Sequence, residues 1–278
     1  MGLWLWVTVI AAGAVGQFVD AVAGMGFGAF SGSVMIAGGL PPAVVVGTVS
    51  LAKVSSGLFS GLAHWRFGNV RRMWVAPLAI PAIAGGILAA TLVTRLPEAV
   101  TRFWVPVVLL AMGALILRRS LSATMGVPRV AGASQDEAPT DARGPVRWLR
   151  RTLRNVPSNL WLGSIGLLGG LLQGLSGAFG PFATSSTLLV KGGHPRYAIG
   201  TVNFVEFFLA TAVAATVFLQ LDWTPFRWEL PLALMVGGIL TAPLGAYLAR
   251  HLPERGLLLA IGVLLLGINL WTIVRALA

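Results

Sequence analysis

The sequence predicts an all-α polytopic membrane protein built from two inverted repeats, each a glycine-broken helical hairpin plus three transmembrane helices. Three observations lead there. The chain has 278 residues, 56% of them hydrophobic and only 10% charged, whereas a soluble domain carries about 25% charged residues and needs them to cover a water-facing surface. Apolar runs long enough to cross a hydrocarbon core of ~30 Å recur from end to end. The second half of the chain also repeats the first. These features exclude a soluble enzyme, a nucleic-acid binder and a secreted disulfide scaffold.

The elements follow in chain order. Met1-Gly2-Leu3-Trp4 lacks the basic region of a cleaved signal and reads as the start of the first membrane element. Residues 3–38 are too many for one crossing, for which about 20 suffice. They are interrupted by Gly24-Met25-Gly26-Phe27-Gly28, which predicts a hairpin returning to its starting side. The turn Gly38-Gly39-Leu40-Pro41-Pro42 leads into spans at 41–64, 74–94 and 100–117, with a helix start at Leu96-Pro97-Glu98. Residues 120–156 form a basic linker, Pro-, Ala- and Ser-rich and expected to be disordered at first. It ends in Arg147-Trp148-Leu149-Arg150-Arg151-Thr152-Leu153-Arg154, which suits a short helix lying on anionic headgroups. The second half opens with an apolar segment at 158–190, broken by Gly174-Leu175-Ser176-Gly177 and Gly180-Pro181. Gly192-Gly193-His194-Pro195 then leads to spans at 196–219, 229–249 and 256–277, the last two separated by Leu252-Pro253-Glu254. The domain reading is 1–119, 120–156 and 157–278. Trp4, Trp6, Trp65, Trp74, Trp104, Trp161, Trp223, Trp228 and Trp271 sit near segment ends, as in an interfacial belt.

The repeat is read from blocks in one order. Gly47-Thr48-Val49 recurs as Gly200-Thr201-Val202, 153 positions later, and Gly13 and Gly24 match Gly166 and Gly177 at that spacing. Pro77-Leu78-Ala79-Ile80 recurs as Pro231-Leu232-Ala233-Leu234, Gly85-Gly86-Ile87-Leu88 as Gly237-Gly238-Ile239-Leu240, and Leu96-Pro97-Glu98 as Leu252-Pro253-Glu254. A hairpin plus three spans is odd in crossings, so the halves have opposite orientation. Charge supports this. The chain carries a net +11, and much of it lies between Arg118 and Arg154, which marks that stretch as cytoplasmic. The hairpin arrangement then places Arg66, Arg71, Arg72, Lys191, Arg196, Arg250 and Arg255 inside, and only Arg95, Arg102, Arg227 and Arg275 outside. A single crossing would keep only Arg66, Arg71, Arg72, Arg227 and Arg275 inside.

Three formal charges fall within apolar segments: Asp20, Lys53 and Glu206. Each is costly there unless paired or facing an aqueous cavity, so a functional role is the default. At about 100° per residue, Ser50, Lys53, Gly57, Ser60, Gly61 and His64 share one narrow face, a stripe that suits an anion path with Lys53 as anchor. The bland alternative is a static pair of Lys53 with Glu206 or Asp20. Glu206 is the repeat mate of Lys53, and Asn203 that of Ser50. Glu206 is a candidate proton carrier, because burial and a nearby ammonium act in opposite senses on a carboxyl. Asp20 lies on the stripe Gly13-Gln17-Asp20-Gly24, matched by Gly166-Gly170-Gln173-Gly177, whose glycines permit close helix approach. Gln17 and Gln173 would face the site or bond across the helix interface, and such residues are more often interhelical glue than ligands. The tips, with Gly24, Gly26 and Gly28 on one side and Gly177, Gly180 and Thr184 on the other, would expose free N–H groups that favour an anion; alternatively, their glycines serve tight packing alone. Ser31, Ser33, Ser185 and Ser186 follow the tips. His64 and His194 read as interfacial. The absence of Cys excludes thiolate sites, and no spacing suggests a metal, a cofactor or covalent catalysis.

The chain resembles the TauE/SafE family of sulfite exporters and toluene-sulfonate uptake permeases. The resemblance rests on the break at Gly24–Gly28, Leu40-Pro41-Pro42-Ala43 leading into Gly47-Thr48, and His64 through Gly68-Asn69-Val70. In the second half it rests on Gly177–Pro181, Ala198-Ile199-Gly200-Thr201 and Leu221-Asp222-Trp223. The family's adjacent glycines are spread out here as Gly24, Gly26 and Gly28, Phe179 interrupts the second run, and Lys53 and Glu206 depart from its pattern. The resemblance implies transport of a small anion, such as sulfite, a sulfonate or a related organic acid, across the bacterial inner membrane.

The resulting expectation is a secondary transporter, not an enzyme, with the anion held between the tips by Lys53, Ser50, Asn203, Thr184 and backbone amides. Glu206 or Asp20 is the coupling carboxylate, for H⁺ in preference to Na⁺. Expected partners are the anion, the coupling ion and the lipid bilayer, with a homodimer admitted and no nucleic acid. A passive anion channel, or a membrane-embedded enzyme or assembly factor, are the rival readings.

Overall fold

A computed structural model describes residues 3–122, 158–191, 195–221, 228–248 and 254–277. Among them lie ten helices and no strand: α1 (Leu3–Ala23), α2 (Phe27–Ala37), α3 (Pro42–Arg66), α4 (Arg72–Arg95), α5 (Glu98–Ser122), α6 (Ser158–Ser176), α7 (Gly180–Lys191), α8 (Pro195–Gln220), α9 (Glu229–Leu248) and α10 (Glu254–Leu277). The basic linker beyond Ser122, including Arg147–Arg154, lies outside the described residues, as do His194, Asp222 and Trp223.

Local chemistry sets the helix ends. Gly39 and Gly68 have positive φ of 88° and 68°, and each closes the preceding helix through paired backbone bonds: Leu40 N to Met35 O with Gly39 N to Ile36 O, and Asn69 N to His64 O with Gly68 N to Trp65 O. Pro42 takes the first turn of α3, where its missing N–H costs nothing. Leu96, held extended before Pro97, ends α4.

Both long apolar segments break. Gly24 and Gly177, repeat mates, adopt φ of 67° and 77°, values that only glycine takes without strain. After the first break the chain folds back: Gly26 lies against Val19, Gly16 against Phe27, and the Ser31 hydroxyl donates to Ala12 O at 3.2 Å. α1 and α2 therefore form an antiparallel hairpin. With 11 residues, α2 spans only about 16 Å, roughly half a hydrocarbon core. In the second half the same face of α6, at Gly169, meets Phe179 and Phe182.

The halves then exchange partners. α1 packs on α9 and α6 on α4, while α3 packs on α8 and α5 on α10. Glycine makes these contacts close. Gly166, Gly170 and Gly174 of α6 seat on the backbone of Leu78, Ala82 and Gly86, and Gly13 of α1 on that of Leu234. α3 and α8 run antiparallel, Gly57 against Phe207 and Gly61 against Phe204. So do α5 and α10, Gly113 against Leu265 and Gly262 against Leu117.

Among the described residues five helices are long and apolar enough to cross a membrane: Pro42–Arg66, Arg72–Arg95, Glu98–Leu121, Arg196–Gln220 and Leu258–Leu277. The outer surface is apolar where lipid would touch it. Phe59, Ile80, Leu88, Leu219, Leu240 and Leu270 are all exposed, far more apolar surface than a soluble monomer shows. The interior carries the reverse: Gln17, Asp20, Lys53, Gln173, Asn203 and Glu206 are buried.

Candidate functional site

The two breaks bring the hairpin tips into direct contact. Gly28 meets the Gly177 carbonyl, with no room for a Cβ, and Gly180 packs on Gly24 and Met25. Thr184 Oγ1 donates to Gly24 O at 2.9 Å, tying α7 to the first tip. Gly24 also packs on Ile199 of α8, and Gly177 on Val49 of α3.

Beside the tips lie the three charges. Lys53 from the middle of α3 places Nζ 2.5 Å from Asp20 Oδ2, at the end of α1, and 3.2 Å from Glu206 Oε2, on α8. Exposures of 2%, 2% and 3% for Asp20, Lys53 and Glu206 leave no bulk water to solvate them. The Phe27 ring covers the ammonium, its centroid 5.3 Å from Nζ. The two carboxylates are held unequally. Asp20 makes a short charge-assisted hydrogen bond to Lys53, whereas Glu206 Oε2 stays within ion-pair range without a hydrogen-bond partner. Two acids share one ammonium in a dry site, which with both ionised would carry one surplus negative charge. Arg119 of α5 approaches the first tip, its Nη1 3.5 Å from Met25 Sδ.

Repeat mates do different work here. Gln173, the counterpart of Asp20, caps its own break: its Oε1 accepts from Phe179 N at 3.0 Å, and its Nε2 donates to Ser50 Oγ at 3.3 Å. Asp20 instead turns to Lys53. The N-terminus of α2, starting after Gly26, has no side-chain cap, whereas a side chain satisfies a tip amide of the second. Asn203, mate of Ser50, donates to Ile199 O of its own helix at 3.1 Å. Gln17 Oε1 is buried without a hydrogen-bond partner.

The structure thus gathers Asp20, Lys53 and Glu206, joins Ser50 to Gln173, and presses Gly24, Gly28, Gly177, Gly180 and Thr184 together. Gly26 packs back on its own helix at Val19. His64, at the far end of the α3 stripe, instead meets Asn69 Nδ2 at 3.4 Å. Sequence reasoning missed two roles. In sequence Phe27 is only part of a break, and Gln173 is a site-facing residue or interhelical glue, not the cap of its own break. A signal for Gln173 was present: a side-chain amide four residues before a glycine break can reach the N–H groups the break frees. Among the described residues no cluster of His, Cys, Asp and Glu has the make-up of a metal site.

Residues 9–272 match the family described as Sulfite exporter TauE/SafE. The chain is also 30% identical, over 263 residues, to the Probable membrane transporter protein YtnM of Bacillus subtilis (strain 168), covering 95% of this chain and 81% of that protein. No solved structure matches it.

Proposed function

The chain belongs to the Sulfite exporter TauE/SafE family, a family of multi-pass membrane transporters rather than enzymes, and from that membership we propose a secondary transporter that moves a small anion across the bacterial inner membrane. The anion is sulfite, a sulfonate or a related organic acid, and its movement is coupled to H⁺ in preference to Na⁺. One observation carries the proposal: a buried ammonium shared by two carboxylates beside two touching hairpin tips. A static core has little use for such a group, because a well-packed apolar cluster is at least as stable as a buried ion pair.

In this reading the anion enters when the tips part. Parting releases the Thr184 hydroxyl from Gly24 O and opens the first tip around Gly24, Gly26 and Gly28. Gly177, Gly180, Ser50 and Asn203 line the other wall, and Lys53 anchors the charge. Asp20 or Glu206 carries the coupling ion. The halves are inverted repeats, a reading supported by the antiparallel contacts of α3 with α8 and α5 with α10, which are repeat mates. The linker side is cytoplasmic. Arg71, stacked on Tyr197 at 4.2 Å and bonded through its backbone N to Thr201 Oγ1, brings the exposed Arg66, Arg71 and Arg72 to the same face as Arg196.

The test is flux of labelled sulfite, sulfonates and carboxylates into proteoliposomes with and without a pH gradient. Gradient-driven uptake supports the proposal. Gradient-independent flux indicates a channel, and no flux of any anion an assembly factor.

A further inference from the structure

The surplus charge at Lys53 has a consequence for which anion passes and with what. Asp20 and Glu206 both sit on the one ammonium, so an arriving anion must compete with a carboxylate for it. Adding an anion to the site as it stands would bury a second uncompensated negative charge, which is prohibitive at this exposure. The exchange becomes possible when one carboxylate takes up a proton as the anion takes its place. The surplus then stays at one negative charge before and after binding.

Resting on the anion-transport reading above, we propose that Glu206 is the carboxylate displaced from Lys53, so that the site binds one proton on Glu206 with each monovalent anion and rejects divalent anions. Geometry selects Glu206 over Asp20. Asp20 holds Lys53 at 2.5 Å by a hydrogen bond, while Glu206 Oε2 stands at 3.2 Å with none. The charged and titratable groups facing Glu206 are Lys53 from α3 and Asp20 from α1. His64, on the last turn of α3, lies within electrostatic reach of Asp20, and Arg119 of α5 touches the first tip at Met25. The charge balance closes: H⁺ and A⁻ enter, Lys53 turns from Glu206 to A⁻, and Glu206 becomes the neutral acid. The substrate class is therefore the singly charged sulfonates and hydrogen sulfite, with sulfate excluded.

The test uses the purified full-length protein in weakly buffered detergent, with methanesulfonate as probe because it keeps one negative charge throughout the working pH range. Wild type is expected to take up one proton per methanesulfonate bound, and its affinity to fall about tenfold per pH unit on the alkaline side. Sulfate at the same concentration gives neither binding nor proton uptake. Glu206→Gln binds methanesulfonate with no proton uptake and a flat pH profile. Methanesulfonate binding without proton uptake in wild type, uptake surviving in Glu206→Gln, or sulfate binding equally well would each overturn the inference and leave the transport reading standing. Failure of wild type to bind methanesulfonate or sulfite removes the anion reading itself, and this inference with it. If Glu206→Gln does not fold by its melting curve, the wild-type stoichiometry and the sulfate comparison still decide.

Discussion

Lys53 is balanced by more charge than it carries, and that governs what its loss should do. Lys53→Ala leaves Asp20 and Glu206 facing each other in a dry site, and removing one partner of a buried pair costs about 3–5 kcal/mol. The expected outcome is a large fall in melting temperature together with loss of anion binding by calorimetry. The triple variant Asp20→Asn, Lys53→Met, Glu206→Gln should regain most of the melting temperature and none of the binding. Unchanged affinity in Lys53→Ala would remove Lys53 as the anchor. The charges were legible in sequence because an ionised side chain inside an apolar run is rare and costly. Their pairing was half legible, since repeat mates at 53 and 206 had to face one volume if the halves were related. The division of labour between Asp20 and Gln173 was not. It depends on side-chain rotamers, which answer to neighbours from other helices and leave no trace in spacing.

At the scale of elements the two glycine breaks matter most. Gly28→Ala would drive a methyl group into the Gly177 carbonyl, and both neighbours are backbone that cannot swing aside. Overpacking of this kind costs about 1–3 kcal/mol, so melting should fall and flux be lost as the tips are wedged apart. Gly267→Ala on α10 is the contrast. Nothing lies within 4 Å of its added methyl, and in a helix interior alanine is favoured over glycine by up to about 1 kcal/mol, so its melting curve should hold or rise. The helix ends were readable from Gly39 and Pro97 because turn chemistry is local. The fold-back of α2 was expected from the length of the segment and its glycine break. That Gly28 seats on Gly177 was not legible, since it joins residues nearly 150 positions apart.

For the whole molecule the dominant fact is that each half's first helix packs on the other half's fourth helix. A first half expressed alone leaves the glycine face of α1 uncovered, and the same holds for the face of α4 that receives α6. Residues 1–122 or 158–278 expressed alone should therefore not yield a stable protein, whereas the two fragments expressed together should co-purify. Single cysteines at Gly39 and Gly193, introduced into a chain that has none, should label from opposite sides of the membrane; labelling from one side defeats the inverted arrangement. The repeat in the sequence announced two related halves, but which helices pair between them was hidden, because glycines occur on α1, α4, α6 and α9 alike.

Chain order adds a consequence for biosynthesis. Asp20 and Lys53 both belong to the first half and can neutralise one another within it at 2.5 Å, so that half reaches the bilayer with its buried charges already matched. Glu206 arrives later on α8, a span with no cation of its own to meet it in its middle. In hydrocarbon a lone carboxylate is far costlier than its acid. Insertion of α8 therefore favours Glu206 as the neutral acid until the span packs on α3 and meets Lys53.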